Sequence, residues 1–305
     1  MIQTSFASLP TLQTSSSSTG VGRAFGTCGE LAQGQFDSGE DFLITLPVDM
    51  WSEVQVTIDV ISSKVRGGLQ PRDSQKTKTS LAIRKALDYL GFPNWGATFQ
   101  SQSDLPEGKG MASSSADIIA ACRAVSAALN LPLSAEEISR IAISIEPTDG
   151  VMYEGSVCYN HRAGNLLETL GKLPPANLLV LDFGNQVDTV AFNQIPKNYT
   201  AAELDKINQA HELVKTGIQM QDLAQIGLGA TLSAEVNQRI LPKPHFEKII
   251  RIMREHNANG VCAAHSGTVL GLLFARRASH RITGARRSIL NDVDRNIKLF
   301  ETQTL

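Results

Sequence analysis

Hydrophobic and polar positions alternate most clearly in "FLITLPVDMWSEVQVTIDVI", where Val54, Val56, Ile58 and Val60 fall at period two and predict a pair of strands. The period then changes. Leu81, Ala82, Leu87 and Leu90 recur at helical spacing across Ser80 to Leu90, after a basic loop or linker from Lys64 to Lys78. "GATFQSQSDLP" reads as a strand running into a Gly/Ser loop. Beyond that loop, Ile118, Cys122, Val125 and Leu129 form one buried helical stripe. Ser134 and Glu137 have capping-box spacing ahead of a second amphipathic helix through Ile138, Ile141, Ala142 and Ile145. Pro147 and Gly150 in "EPTDG" stop it.

The second half opens at Pro174-Pro175, the expected domain boundary, followed by the strand-like run "NLLVLDFG". Helical stretches are expected around Ala201 to Val214 and Asp222 to Asn237. "GVCAAHSGTVLGLLF" reads as strand, Gly/Ser turn, strand, and Ile282 to Phe300 as helix and closing strand. The pattern predicts an α+β chain of two domains, 21–173 and 174–305, behind a disordered Ser/Thr-rich tail of residues 1–20.

Composition narrows the function classes. A formal net charge of -2 with no block of like charges leaves no footprint for nucleic acid. No apolar run approaches the roughly 20 residues of a membrane span. The first residues lack a basic region and an apolar core, so no secretory signal is expected. Cys28, Cys122, Cys158 and Cys262 are widely spaced and show no metal-ligand pattern, which fits free thiols in a reducing, cytoplasmic setting.

The chemistry concentrates in "PEGKGMASSSAD", Pro106 to Asp117, at the start of a helix. Two readings are open. Ser114 and Asp117 fit a capping box, which satisfies orphan amides. Alternatively, small residues let backbone amides approach an anion while the helix N-terminus adds partial positive charge. The spacing is not that of a P-loop, because Lys109 precedes the last glycine, and a dinucleotide fingerprint would need glycine at Ser113. "HRA" at His161 lacks the aspartate of a protein-kinase catalytic loop.

The order Pro106, Gly110, Met111, Ala112, Ser113, Ser114, Ser115 and Ala116 resembles the phosphate loop of the GHMP kinase superfamily. "GTCGELAQGQ" at Gly26 to Gln35, "ISIEPTDG" at Ile143 to Gly150 and "GVCAAHSGTVLGLL" at Gly260 to Leu273 are similar to further segments of that superfamily, in the same order. Within it, these phrases and "ILPKPHF" resemble the branch that phosphorylates L-threonine for the aminopropanol arm of adenosylcobalamin. The resemblance implies a ribosomal-protein-S5-domain-2-like N-terminal domain, a ferredoxin-like C-terminal domain, ATP and Mg²⁺ as cofactors and L-threonine as substrate. A homodimer is compatible with it. Homoserine, an isomer of threonine, is the rival acceptor, and a silent nucleotide-binding fold is the rival class.

That resemblance also implies roles. Pro106, Gly108, Lys109, Gly110, Met111, Ala112, Ser113, Ser114 and Ser115 would form the ATP loop, Ser114 and Glu146 would hold Mg²⁺, and Asp149 would act as base or orient the acceptor hydroxyl. Glu30, His265, Ser266 and Gly267 would face the substrate. The family's N-terminal motif commonly carries Lys or Arg and then, two places later, Asn, where this chain has Cys28 and Glu30. By chemistry alone Arg23, Arg162 and Lys243 are candidate partners for a carboxylate, and Lys109 is expected to offset Asp117.

Overall fold

A computed structural model describes residues 17–67, 76–185 and 197–305. Two long strands, β1 (Ser17–Gln35) and β2 (Asp41–Asp59), form an antiparallel ribbon whose register runs from Ser17↔Asp59 to Gln35↔Asp41. The expected strand pair across Phe42 to Ile61 is therefore one continuous strand. Its partner is the glycine-rich segment before it, which hydrophobic alternation does not reveal because β1 is buried on both faces from Ala24 to Gln33. Ser17 to Gly20 belong to β1 and correct the expected tail at that end, while residues 1–16 lie outside the described residues.

β3 (Val65–Gly67) and α1 (Thr77–Tyr89) replace the two ends of the expected linker, whose middle lies outside the described residues. β4 (Gly96–Ser103) pairs with β2 and leads through the Gly/Ser loop into α2 (Ser113–Leu129). α2 lies on the ribbon at close range, because β1 offers glycine where the helix offers alanine. A Cβ on Gly22 would meet the Ala120 carbonyl oxygen at 2.1 Å. α3 (Ala135–Ile143) begins with the expected capping box of Ser134 and Glu137, and the hairpin β5 (Ser156–Asn160) and β6 (Asn165–Gly171) attaches to β2.

After Pro174-Pro175 come β7 (Ala176–Asp182), α4 (Ala201–Met220), α5 (Leu223–Ile240), α6 (Phe246–Glu255), β8 (Gly260–Ala263), β9 (Val269–Ala275), α7 (Ser279–Asp292) and β10 (Lys298–Gln303). The strand order β10-β7-β9-β8-β1-β2-β4-β3 makes one sheet across the whole chain, closed at its centre by Glu30↔Ala263. One large apolar core underlies β1, β2 and α2, and a second joins β7, β8 and β9 to α6 and α7. Among the described residues no helix is long and apolar enough to cross a membrane.

Candidate active site

The loop from Leu105 to Ala112 is anchored through its carbonyls. Lys109 O accepts from Thr268 N–H at 3.0 Å, Gly110 O from Gly29 N–H at 3.1 Å and Met111 O from Thr27 N–H at 3.2 Å. In a trans peptide the next N–H points opposite to the carbonyl. The amides of Gly110, Met111 and Ala112 are thereby turned away from β1 and β9, and these residues with Gly108 and Ser113 line an open cleft. Ala112 enters α2 in the left-handed region at φ 57° with no side-chain cap. The open helix N-terminus adds its partial positive charge to those amides.

The expected capping box does not form there. Ser114 Oγ donates instead to Glu146 Oε1. Asp117 is buried beneath α2, where it accepts from Ser52 Oγ at 2.5 Å and pairs with Lys76. Lys76, not Lys109, neutralises it. Lys109 reaches across to Asp182 Oδ1 at 3.0 Å and the Asn185 carbonyl at 2.6 Å. Neither Pro106 nor Lys109 is a lining residue of the cleft, and the Lys109 side chain is turned to Asp182 instead.

Three carboxylates, Glu30, Glu146 and Asp149, share the cleft wall. Burial, then the charges of Glu30 and Glu146, push Asp149 up to about 7, against the opposing hydrogen bond from Ser115. Ser115 Oγ lies 3.3 Å from Asp149 Oδ2 and accepts from the Asp149 N–H at 3.2 Å. Glu146 Oε2 pairs with Lys78 at 2.5 Å. Glu30 sits at an irregularity of β1 that re-aims its side chain toward the β8–β9 turn.

There His265 donates to Glu30 Oε2 from both its backbone N–H, at 2.9 Å, and its Nδ1, at 3.0 Å. His265 Nδ1 faces two acceptors, Glu30 Oε2 and the Ala263 carbonyl, and so carries the proton, while Nε2 bonds to Ser233 Oγ, which also accepts from Gln33 N–H. His265 is 3% exposed and holds Glu30 in place. The expectation that it contacts substrate is corrected, because both ring nitrogens are engaged within the protein. Gly267 is the point where the turn and the loop touch, since a Cβ there would lie 2.2 Å from the Lys109 carbonyl oxygen. Ser266 does line the cleft.

The candidate cations also separate. Arg23 pairs with Glu53 and stacks over Trp51 on the exposed surface. Lys243 donates to the Gly267 and Leu241 carbonyls, and burial lowers it to about 8. Arg162 stands in the β5–β6 turn with Nε 3.4 Å from Asp41 Oδ2. Sequence pattern does not select Lys76, Lys78, Gln33, Thr148 or His161. The only signal for the two lysines is the basic character of their stretch, and His161 stands out only in a motif it does not complete.

Ser114 Oγ and the Glu146 carboxylate offer two hard oxygen donors in contact with each other. Among the described residues no cluster of three or more His, Cys, Asp or Glu side chains could hold a metal alone. A serine and one carboxylate fit Mg²⁺, which completes its octahedron with phosphate oxygens and water rather than with an all-protein cage.

A glycine-rich loop opening a helix, beside a carboxylate-lined cleft on a continuous mixed sheet, is an arrangement with amides open to an anion, and similarity to known proteins gives its family. Residues 77–155 match the model of the GHMP kinases N terminal domain. The chain belongs to the GHMP kinases. It is 30% identical over 82% of its length to proteins named L-threonine kinase from Salmonella typhimurium and Citrobacter freundii, covering 81% and 84% of those chains. Its fold is shared with a homoserine kinase from Cytophaga hutchinsonii at TM-score 0.73 and 17% identity, over 98% of this chain and 97% of that one.

Proposed function

We propose that this protein transfers the terminal phosphoryl group of ATP to the side-chain hydroxyl of L-threonine, giving O-phospho-L-threonine and ADP. The 30% identity to L-threonine kinases over 82% of the chain carries the reading. The cleft supports it, since one wall offers amides to an anion and the other offers carboxylates to a cationic amine and a hydroxyl.

Phosphoryl transfer leaves the protein mainly positioning and charge neutralisation. The amides of Gly110, Met111 and Ala112 and the N-terminus of α2 would hold the phosphates, with Ser113 and Ser115 beside them. Ser114 and Glu146 would hold Mg²⁺, whose charge neutralises the triphosphate and the charge that develops on transfer. Lys78 fixes Glu146 before either arrives. Asp149, held near neutrality by its burial, would orient the acceptor hydroxyl and take its proton. Glu30, locked by His265, would face the ammonium. The product would serve the aminopropanol arm of adenosylcobalamin in the cytoplasm, and the chain would divide near Pro174 into its two domains.

The test is acceptor-dependent ADP release with Mg-ATP across L-threonine, L-homoserine, L-serine and no acceptor, with the product identified by phosphorus NMR. Turnover mainly on threonine with a phosphomonoester product is expected. A clear preference for homoserine, or no acceptor dependence, would remove the threonine assignment.

A further inference from the structure

Three buried side-chain atoms near the β5–β6 turn have no partner within the chain, both ring nitrogens of His161 and Thr148 Oγ1, and beside them Arg162 Nε makes only the 3.4 Å ion pair with Asp41. Native proteins satisfy roughly 90% of such groups, so orphans on neighbouring residues call for an explanation. His161 is 4% exposed and Thr148 2% exposed, yet both line the cleft that holds the phosphate loop. They are linked as well, since Thr148 N–H donates to the His161 carbonyl at 3.1 Å. Polar atoms buried against a cleft wall and unmatched within the chain are free to bond a molecule that enters it.

The charges around them give that ligand its sign. Lys197 and Arg162 both act on the His161 ring, and burial with these cations pushes it down to about 3. A neutral imidazole keeps one N–H donor and the threonine hydroxyl is a second, while Arg162 stands behind them paired with Asp41. Asp41 offsets one of these two cations, and donors beside the remaining positive charge suit an anion. The same cleft carries Glu30, Glu146 and Asp149, which suit a cation. A small molecule with one charge of each sign fits this division, and an α-amino acid is that molecule.

We infer that His161 and Thr148, backed by Arg162 and Lys197, form the seat of the acceptor's α-carboxylate, opposite in charge to the Glu30 side that receives its ammonium. The inference rests on the amino-acid kinase reading and adds how the substrate is oriented. With the carboxylate fixed at this wall and the ammonium at Glu30, only the side chain and the α-hydrogen of the α-carbon remain to be placed, which limits where the hydroxyl can reach. None of these four residues lies in the phosphate loop.

His161→Phe is the informative variant, because it keeps the ring and removes both orphan nitrogens. It should fold at least as well as the wild type, with an equal or higher thermal midpoint. Its KM for L-threonine should rise about tenfold or more, the scale of a lost hydrogen bond to a charged group, with KM for ATP unchanged. On the decarboxylated analogue isopropanolamine the two proteins should be alike. An unchanged threonine KM, or an equal loss on isopropanolamine, overturns the inference. His161→Asn, whose amide still offers N–H donors, should lose less than His161→Phe.

Independently of any variant, the imidazole nitrogens of His161 in wild-type protein with nitrogen-labelled histidine should shift on adding L-threonine and not on adding isopropanolamine. A shift with neither also overturns it. Wild type that turns over neither L-threonine nor L-homoserine sinks the amino-acid kinase reading and the ligand with it. Turnover of either, with an acceptor KM indifferent to His161→Phe, sinks the carboxylate seat alone.

Discussion

Replacing Asp149 by Asn should stabilise the protein and disable it, and the size of the first effect follows from the site. Asp149 lines the cleft beside Glu30 and Glu146, and its carboxyl is pushed from 3.8 to about 7, first by burial and then by those two charges. Each tenfold change in proton affinity corresponds to about 1.36 kcal/mol, so ionising it in the folded protein costs at most about 4 kcal/mol. Asn removes the ionisation and keeps an acceptor for Ser115. Below pH 3.8 the carboxyl is neutral in folded and unfolded chains alike, and wild type and variant should be equally stable. Between pH 3.8 and about 7 only the unfolded wild type ionises, so its stability should fall relative to the variant by about 1.4 kcal/mol per pH unit. Above about 7 both states are ionised and the gap should stay constant. Urea denaturation of both proteins from about pH 4 to 8 measures this difference directly. Acceptor-dependent ADP release should meanwhile drop by about 100-fold or more in the variant, the scale of a lost general base, and the wild-type rate should fall with acidity below about pH 7. A stability gap that is flat with pH would refute the burial argument, and one that narrows as pH rises would reverse its sign.

Glu146→Gln should weaken apparent Mg²⁺ affinity in the ADP-release assay by about 100-fold or more, while circular dichroism stays that of the wild type; an unchanged Mg²⁺ dependence would remove it from the metal site. Lys76→Met should cost about 3 to 5 kcal/mol in urea denaturation, because it strands the buried Asp117 carboxylate beneath α2. Adding Asp117→Asn to that variant should recover much of the loss, and no recovery would show that the pair is not the cause. Gly267→Ala should cost about 1 to 3 kcal/mol and raise KM for ATP, since its Cβ would press on the Lys109 carbonyl that anchors the loop; a loss of stability with KM for ATP unchanged would separate this contact from nucleotide binding.

Local chemistry is legible in the sequence wherever a side chain acts on its immediate neighbours. The stripe of α2, the Ser134 capping box and the strand, turn, strand of Gly260 to Phe274 all form from short-range periodicity and turn chemistry. The loop's glycines and serines, and Glu146 and Asp149 after α3, can be selected from ordered phrases, and the fold brings Ser114, Glu146 and Asp149 to one cleft. β1 is not legible as a strand, because a segment buried on both faces against a close-packed helix shows small residues and no alternation.

Tertiary structure alone decides how each charge is used. Lys109 lies in the loop yet reaches Asp182, Lys76 crosses from the start of α1 to Asp117, and Lys78 crosses to Glu146. Glu30 and His265 are 235 positions apart and share a bond. The energy of a buried charge depends on which opposite charge or dipole lies within a few ångströms and how much water is excluded, and sequence spacing specifies neither for residues on different elements. For the same reason His161 looks ordinary in the sequence. Its unmatched nitrogens and the cations beside it exist as a site only once β5, its turn and the cleft wall are folded together.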